Sequence, residues 1–409
     1  MDASSPSGRT GAREIAALKA PASFKAVAFA CARVRDGTLL MRLPDGRVWR
    51  MGDGNGPTVE LWVKDYAFAK RVVMNGDIGF AESFMAEQWD TPDLSALLTF
   101  FSANAERIMR VFRGNPFSRA MNLIRHMTRA NTKQGSRKNI YEHYDLGNRF
   151  YSAWLDSTMT YSSARFEAPG EELSKAQLNK YRALARHLDL KPGDRVLEIG
   201  CGWGGFAEVA AGEFGAHVTG LTISQAQFDF ARERIAKKGL AEKVDIRLQD
   251  YRDVEGQFDK VASIEMFEAV GEQYWPAYFS KINDVLKPGG KAALQIITIR
   301  DDLFDLYRSR VDFIQRYVFP GGMLPSVDRL QDEVARAGLA WKRIEAFGNS
   351  YAETLAEWSR RFTAKWEDIR PLGFDEKFKQ LWRFYLSYCE AGFRSGRTDV
   401  VQVALAKPA

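Results

Sequence analysis

Alternating apolar strands and amphipathic helices are the main pattern in the C-terminal part of the chain. Apolar runs of strand length occur at 196–199, 218–221, 244–248, 260–264 and 291–299, and segments with helical spacing lie between most of them. This alternation predicts an α/β fold with an open, mostly parallel, doubly wound sheet and helices on both faces. Ligands of such sheets bind beyond the carboxyl ends of the strands, so the residues after each run are the first candidates for a site.

The preceding part of the chain predicts a smaller α+β domain over residues 22–105. The pattern indicates a hairpin at 37–49 with Pro44, Asp45 and Gly46 in its turn, a strand at 59–63, and helices over 67–98 interrupted at Gly76, Gly79 and 90–92. Residues 1–21 lack the apolar core of a signal peptide and are predicted to form a disordered tail. Residues 106–136 are predicted to be a basic linker, and residues 137–409 the second domain.

Composition narrows the class of protein. A chain of 409 residues is expected to hold two domains, and 45% apolar with 27% charged residues are globular values. No apolar run is long enough to span a bilayer. Cys31, Cys201 and Cys389 are too few and too scattered for a disulfide framework, and no metal site is predicted. We therefore expect a cytoplasmic protein with reduced cysteines.

Positive charge is concentrated in one segment. Residues 107–141 contain nine Lys and Arg and no Asp or Glu, whereas the whole chain has a net charge of only +6. Apolar residues interleave with these cations, so the segment can lie on an anionic membrane surface. A solvated linker helix is an equally good interpretation, and nucleic acid would also attract these charges. Charge alone does not decide between these alternatives.

A glycine-rich turn follows the first strand of the predicted sheet. Gly200, Gly202 and Gly204 alternate between that strand and a helix, which removes the side chains that would keep a bulky ligand off the backbone. Glu198 precedes the turn and would repel the pyrophosphate of a dinucleotide. A nucleoside with a cationic amino-acid tail suits this pattern better, and the cofactor we infer is S-adenosylmethionine.

Further candidates follow the other strands. Thr222 and Gln227 offer hydrogen bonds where many nucleoside sites have a carboxylate, and Asp250 with Tyr251 offers a carboxylate and an aromatic face to an adenine ring. Ser224 suits either a helix N-cap or a binding role. Glu265 and Glu268 would share one face of a helical turn among apolar residues. Because buried carboxylates are costly unless used or paired, one of the two is our candidate for the active centre.

Six segments together resemble one enzyme family. They are residues 143–148, 159–164, 197–205, 267–271, 319–326 and 388–393. From about residue 137 to the end, the chain is similar to the cyclopropane-fatty-acyl-phospholipid synthases and the related mycolic acid cyclopropane synthases. The N-terminal domain is similar to the accessory, lipid-binding domain of the longer synthases. The resemblance implies a Rossmann-like class I methyltransferase fold.

The resemblance also implies an activity. Enzymes of this family transfer a methyl carbon from S-adenosylmethionine to the cis double bond of an unsaturated phospholipid acyl chain. The product here is expected to be a cyclopropane or a methyl- or methylene-branched chain, and a small-molecule amine N-methyltransferase is the alternative. The implied cofactor contacts are Tyr144, Tyr161, Ser162, Gly200, Gly202, Trp203, Thr222, Ile223, Gln227, Asp250 and Tyr251. An aromatic-rich stretch from Tyr274 to Phe319 suits an apolar slot for the acyl chain.

The catalytic base departs from the family pattern. Family members hold a bicarbonate ion with a Glu, a Tyr, a Cys and a His, and the matching positions here are Glu268, Tyr351, Ser163 and Gln295. The plant-type members are similar in having this Ser and Gln. Losing the imidazole removes a titratable group, so the sequence leaves bicarbonate binding open.

The resemblance also bears on partners. The expected partner is unsaturated phospholipid in a membrane, with peripheral contact at the inner face rather than with nucleic acid. A homodimer is left open.

Overall fold

The computed structural model describes residues 9–112 and 146–409, and contacts divide the chain into two units. The first unit contains the described residues up to Phe112 together with 310–317 and 373–395. The second contains 146–309, 318–372 and 396–409. The predicted boundaries at 22–105 and 137–409 therefore need a correction, because two segments of the predicted second domain fold with the first unit.

The first unit contains a four-stranded sheet of strands β1–β4. These are β1 Thr38–Arg42, β2 Val48–Gly52, β3 Thr58–Val63 and β4 Trp89–Asp90, in the order β2-β1-β3-β4. The predicted hairpin is confirmed, because β1 and β2 pair antiparallel across the turn that contains Gly46, whose φ is +87°. The strand predicted at 59–63 is confirmed as β3, which pairs parallel to β1.

Helices pack around this sheet. They are Ala12–Ala17, Ala22–Cys31, Phe68–Asn75, Asp77–Met85, Leu94–Ala103, Ala105–Phe112, Phe313–Tyr317 and Glu376–Arg394. The predicted interruption at Gly76 is confirmed, but the one at Gly79 is wrong. Gly79 lies inside a helix, where a Cβ atom would approach the Arg71 carbonyl oxygen to 1.9 Å. Close packing between neighbouring helices, rather than a chain break, requires that glycine.

Two further findings correct the predictions for this unit. The predicted tail is ordered from Arg9, since Thr10 N donates to the Arg50 carbonyl oxygen at 2.8 Å and the side chain of Ile15 is fully buried. The helix Glu376–Arg394 joins this unit because it buries large aromatic side chains there, with the Phe384 ring 5.7 Å from that of Phe84. Such long-range burial leaves no local trace in the sequence.

The second unit is built on a seven-stranded sheet. Its strands are β5 Arg195–Ile199, β6 His217–Thr222, β7 Val244–Leu248, β8 Phe258–Ile264, β9 Leu286–Ile299, β10 Ala340–Ala346 and β11 Thr398–Ala406. The order is β10-β11-β9-β8-β5-β6-β7, with β5 to β9 parallel to one another and β11 antiparallel to both of its neighbours. All five predicted strands are confirmed, and β10 and β11 are additions that the apolar pattern did not reveal.

Helices cover both faces of this sheet, as predicted. They are Asn148–Trp154, Leu173–His187, Gly205–Gly212, Gln225–Lys237, Trp275–Val285, Asp301–Arg308, Val327–Arg336, Gly348–Ala364 and Trp366–Ile369. Alternate residues of β5 enter two separate cores, Leu197 and Ile199 on one face and Val196 on the other. The chain order reverses at β5, whose neighbours are β6 and β8, and sheets of this type bind ligands at such a point.

Some predictions lie outside the described residues. Most of the basic linker at 106–136 and the candidate cofactor contact Tyr144 fall between residues 113 and 145. In the part of the chain that the structure describes, none of the helices combines the length and apolar character needed to cross a bilayer.

Candidate active site

The glycine turn lies at the carboxyl end of β5 and is open on one side. Gly200, Gly202 and Gly204 have φ values of +81°, +53° and +82°, in the left-handed region that favours glycine. A Cβ atom on Gly200 would come within 2.8 Å of Met266 Cγ, whereas one on Gly202 would meet no atom within 4 Å. The turn therefore combines a tight contact with the end of β8 and an open surface on which a ligand can lie.

A buried carboxylate lies at the end of the strand that leads into this turn. Glu198 is 2% exposed, and its Oε2 atom has no hydrogen-bond partner among the described residues. Burial raises the pKa of Glu198 to about 8, although the charges of Arg234 and Lys180 act in the opposite direction. An unsatisfied buried carboxylate beside an open turn fits a cationic ligand.

The predicted contacts after β6 form a connected group. Thr222 Oγ1 donates to Gln227 Oε1 at 2.9 Å, and Ile223 lies between them with part of its surface exposed. Ser224 is the N-cap of helix Gln225–Lys237, because its hydroxyl accepts from Gln227 N. The capping role proposed for Ser224 is thus confirmed.

The predicted contacts after β7 have a partner that the sequence did not indicate. Arg252 donates to both oxygens of Asp250, from Nε at 2.9 Å and from Nη2 at 2.7 Å. The Tyr251 ring lies 5.5 Å from the Tyr278 ring in an edge-on arrangement. A ligand hydrogen bond to Asp250 must therefore share that carboxylate with a guanidinium.

Three further predicted contacts precede or follow β5. The Tyr161 ring lies 5.2 Å from the rings of Tyr151 and Trp358. Ser162 Oγ accepts from Lys180 Nζ at 2.5 Å. Trp203 Nε1 donates to Asn148 Oδ1 at 2.9 Å, which fixes the indole beside the glycine turn.

A hydrogen-bond network surrounds Glu265, immediately after β8. Oε1 of Glu265 accepts from Gln295 Nε2 at 2.7 Å and from Ser163 N at 2.8 Å, and Oε2 accepts from the Tyr351 hydroxyl at 2.7 Å. Burial raises the pKa of Glu265, while Lys180 and these three donors lower it. The structure thus brings together three of the four predicted base-site residues, but around a different carboxylate.

Glu268 lies close to this network without joining it. Its Oε1 atom accepts from Ile297 N at 2.5 Å, and its Oε2 atom is buried with no hydrogen-bond partner among the described residues. Burial, and then the charge of Glu265, raise the pKa of Glu268 to about 8. The sequence singles out both carboxylates, but the position matched by resemblance is not the one that Ser163, Gln295 and Tyr351 contact.

Two buried residues that the sequence analysis missed support the network. Lys180 is fully buried, and burial lowers its pKa to about 7 against the opposing charges of Glu265, Asp156 and Glu198. Gln402 Nε2 donates to Gln295 Oε1 at 3.0 Å and so leaves the Gln295 amide nitrogen to face Glu265. Their positions in a helix and in β11 gave no local signal of a site.

The aromatic-rich stretch contributes mostly to the core. Trp275, Tyr278 and Phe279 are 2% exposed or less and pack in the apolar cluster on one face of the sheet. Phe313 and Tyr317 belong to the first unit, where their rings lie 5.5 Å apart. The aromatic residues of this stretch are therefore divided between the two units.

Comparison with known proteins identifies relatives of the chain. A family model described as mycolic acid cyclopropane synthetase matches residues 131–403. The tuberculostearic acid methyltransferase UfaA1 of Mycobacterium tuberculosis is 38% identical over 376 residues, which cover 88% of this chain and 86% of that protein. The cyclopropane-fatty-acyl-phospholipid synthase of Escherichia coli strain K12 is 36% identical over 361 residues, which cover 87% of this chain and 89% of that protein.

A solved structure also matches. The mycolic acid cyclopropane synthase CmaA1 complexed with SAH and CTAB superposes with a TM-score of 0.62 at 30% identity. The match covers 66% of this chain and 98% of that one.

Proposed function

Because the chain belongs to the mycolic acid cyclopropane synthetase family, we propose that it adds one carbon from S-adenosylmethionine to the cis double bond of a phospholipid acyl chain. The observation that carries this proposal is the placement of a hydrogen-bonded carboxylate beside the glycine turn. Glu265 follows β8, which pairs with β5, and Ser263 Oγ donates to the Ile199 carbonyl oxygen at 2.8 Å where these strands end. A methyl donor and a proton acceptor can meet there.

The residues of the turn fit S-adenosylmethionine. The open surface at Gly202 leaves room for the cofactor to lie against the protein backbone. The Oε2 atom of Glu198, which has no hydrogen-bond partner among the described residues, suits the cationic groups of the cofactor. We assign the nucleoside to the group of Thr222, Ile223 and Gln227 and to Asp250 with Tyr251, and we retain Tyr161, Ser162 and Trp203 as lining residues. When bound, the cofactor supplies an electrophilic methyl group on a sulfonium.

The protein must align a weak nucleophile and protect a cation. An alkene reacts only when it is held against the methyl group, so orientation and exclusion of water are the main contributions expected of the protein. Aromatic faces stabilise cations, and Tyr161 and Trp358 offer such faces near Ser162. The new carbon–carbon bond would use the alkene electron pair, while the carbon–sulfur bond of the donor breaks and its electron pair returns to sulfur as a neutral thioether. The neighbouring carbon of the acyl chain is left positively charged.

The product class depends on the fate of this carbocation. Closing a ring gives a cyclopropane, whereas a hydride shift to the cationic carbon before proton loss gives a methylene branch, which on reduction becomes a methyl branch. Both outcomes remove a proton from the transferred carbon. One relative is named for tuberculostearic acid and another for cyclopropane fatty acids, so we leave both products within the proposal.

Transfer of label to lipid tests the proposed function. Purified enzyme with S-adenosylmethionine labelled in the methyl group should move label into the acyl chains of vesicles that contain cis-unsaturated phospholipid. Vesicles of fully saturated phospholipid are the matched control and should stay unlabelled. Mass spectrometry before and after hydrogenation separates a cyclopropane from a methylene branch. Label in saturated lipid, or none in either lipid, would contradict the proposal.

The amine N-methyltransferase alternative is not favoured. The relatives that cover most of the chain are named for fatty acids and phospholipids. Formation of a soluble methylated amine in the absence of lipid would support this alternative.

Peripheral membrane contact at the cytoplasmic face is the location we propose. The cluster of nine Lys and Arg in 107–141 supports it, because phospholipid substrate is reached only at a bilayer. Exposed apolar side chains on the first unit, including Phe29, Val73 and Met74, add apolar contact area. Light scattering of the purified protein would measure its molar mass in solution and so test for a dimer.

A further inference from the structure

The Glu265 carboxylate is held as an anion-binding site would hold an anion. One backbone amide, one side-chain amide and one phenol donate to its two oxygens at 2.7 to 2.8 Å. The donors come from three distant parts of the chain, the segment at Ser163, strand β9 and helix Gly348–Ala364. Hydrogen bonds of this kind favour the ionised form of a carboxylate.

The backbone at Glu265 adds an independent observation. Its φ is +48°, in the left-handed region that non-glycine residues rarely adopt. Such a conformation costs on the order of 1–2 kcal/mol and persists where the surroundings impose it, often at functional sites. Here it directs the side chain toward the three donors.

The two neighbouring carboxylates are in different electrostatic environments. Glu268 accepts one hydrogen bond at Oε1, and its pKa is raised to about 8 by burial and by the charge of Glu265. Burial raises the pKa of Glu265 as well, but the cation of Lys180 and three hydrogen-bond donors act to lower it. When the surroundings push the pKa values of two coupled carboxyl groups apart in this way, the group with more hydrogen-bond donors and a nearby cation acts as the base, and the other stays protonated.

A bicarbonate ion does not fit these residues. Ser163 N, Gln295 Nε2 and the Tyr351 hydroxyl already donate to Glu265, and Ser163 Oγ donates to the Ala164 carbonyl oxygen at 2.8 Å. A second anion among the same donors would face the Glu265 carboxylate at close range, where like charges repel strongly. The donors expected to hold bicarbonate are therefore committed to a side chain of the protein.

We propose that the Glu265 carboxylate is itself the base of the reaction and that the enzyme needs no bicarbonate. This inference rests on the proposed function. In the step assigned to Glu265, a C–H bond of the transferred carbon breaks and its proton passes to a carboxylate oxygen. The electron pair of that bond forms the third ring bond or, after a hydride shift, the double bond between the transferred carbon and the acyl chain. Charge balances, because the carbocation and the carboxylate are both neutralised.

Three variants and two buffers test the proposal. Wild-type enzyme should transfer label at the same rate in buffer purged of carbon dioxide and in buffer with added bicarbonate. Glu265→Gln should lower kcat by about 10²–10⁴-fold, as loss of a general base does, with the dissociation constant for S-adenosylmethionine within about threefold of wild type. Glu333→Gln, a buried glutamate of helix Val327–Arg336 outside the site, is the matched control and should leave kcat unchanged.

Two further readouts separate a base from a structural residue. Glu265→Gly relieves the left-handed strain and opens the space of the carboxylate beside intact donors, so added bicarbonate or formate should restore part of its activity. With a trideuterated methyl donor, the isotope effect on turnover should rise in Glu265→Gln, because proton removal becomes slower relative to methyl transfer. A purely structural role predicts neither result.

The outcomes distinguish this inference from the proposed function. A wild-type rate that falls more than tenfold without bicarbonate and recovers when it is added would overturn the role of Glu265. So would a Glu265→Gln variant with near-normal kcat, or one that loses cofactor binding together with activity. If wild-type enzyme transfers no label to unsaturated lipid in either buffer, it is the proposed function that fails.

Discussion

Glu265 and Glu268 are three positions apart, yet their surroundings give them different roles. Three hydrogen-bond donors surround one carboxylate, and one backbone amide contacts the other. The charge on the first helps to keep the second protonated. At the scale of single residues, the charges and hydrogen-bond donors around each carboxylate decide which of two identical side chains can accept a proton.

The raised pKa of Glu268 predicts a pH-dependent stability. Its pKa rises from about 4.5 unfolded to about 8 folded. The unfolded chain therefore releases the proton first as the pH rises, and stability is lost between these values. Glu268→Gln removes this loss, so its melting temperature should exceed that of wild type at pH 8.5 and differ little at pH 4.5. A lower melting temperature at both pH values would show that the carboxyl group is needed for packing.

The raised pKa of Glu198 predicts a pH-dependent cofactor affinity. Because a cationic ligand favours the ionised carboxylate and Glu198 titrates near 8, affinity for S-adenosylmethionine should increase from pH 6.0 to 7.5, by at most about tenfold per pH unit. Titration calorimetry at both pH values measures this, and buffers of different ionisation enthalpy report the released proton. In Glu198→Gln, affinity should be lower at pH 7.5 and nearly independent of pH. An equal pH dependence in the variant would assign the proton to another group.

At the scale of elements, the antiparallel strand β11 completes the site. It pairs with β9 and places Gln402 opposite Gln295 in the register of the two strands. The Gln402 amide also donates to the Lys180 carbonyl oxygen at 3.2 Å, which links the strand to helix Leu173–His187. Gln402 is therefore a positioning residue for a side chain that contacts the carboxylate.

Loss of this support should weaken turnover without weakening cofactor binding. Gln402→Leu leaves the buried Gln295 carbonyl without its donor, a penalty of about 1–3 kcal/mol, and frees the Gln295 amide to turn away from Glu265. We expect kcat to fall by about tenfold, the acid limb of the pH–rate profile to move to higher pH, and the dissociation constant for S-adenosylmethionine to stay unchanged.

A double-mutant cycle with Gln295→Leu provides the control. The two substitutions should cost little more together than Gln295→Leu alone, because both act through the same hydrogen bond to Glu265. Fully additive losses would mean that Gln402 acts by another route.

At the scale of the whole molecule, charge is segregated along the chain. The nine cations of 107–141 follow the first four-stranded sheet and precede the seven-stranded one. If this segment holds the enzyme on a membrane, affinity should come from several weak contacts with anionic headgroups, each of about 1 kcal/mol and screened by salt.

Vesicle binding tests this arrangement. Binding to vesicles rich in phosphatidylserine should weaken steeply between about 0.05 and 0.5 M salt, because the Debye length shortens over that range. Replacing Arg119, Arg125 and Arg129 with Gln should lower affinity by about two orders of magnitude. The control replaces Arg232, Lys237 and Lys243, cations of the second unit, and should have little effect. Binding that does not depend on salt would indicate that apolar contacts alone attach the protein to the vesicle.

The sequence by itself determined the strands of the parallel sheet, the glycine turn and the family. These features depend on short-range patterns: apolar runs, glycine where φ must be positive, and motifs of a few residues. They were enough to infer the cofactor and to propose contact residues at the carboxyl ends of β5, β6 and β7. The extra strands β10 and β11 have no equally clear apolar run bounded by turn residues. Their pairing also depends on strands that are distant in the sequence.

Only the tertiary structure decided which carboxylate is surrounded by donors. Ser163, Gln295 and Tyr351 lie far apart in the chain and meet only after the sheet and helix Gly348–Ala364 have formed. The same is true of helix Glu376–Arg394, which folds with the first unit. Sequence motifs specify backbone conformation over a few residues, whereas burial and hydrogen-bond partners depend on long-range packing. The difference between Glu265 and Glu268 depends on this long-range packing.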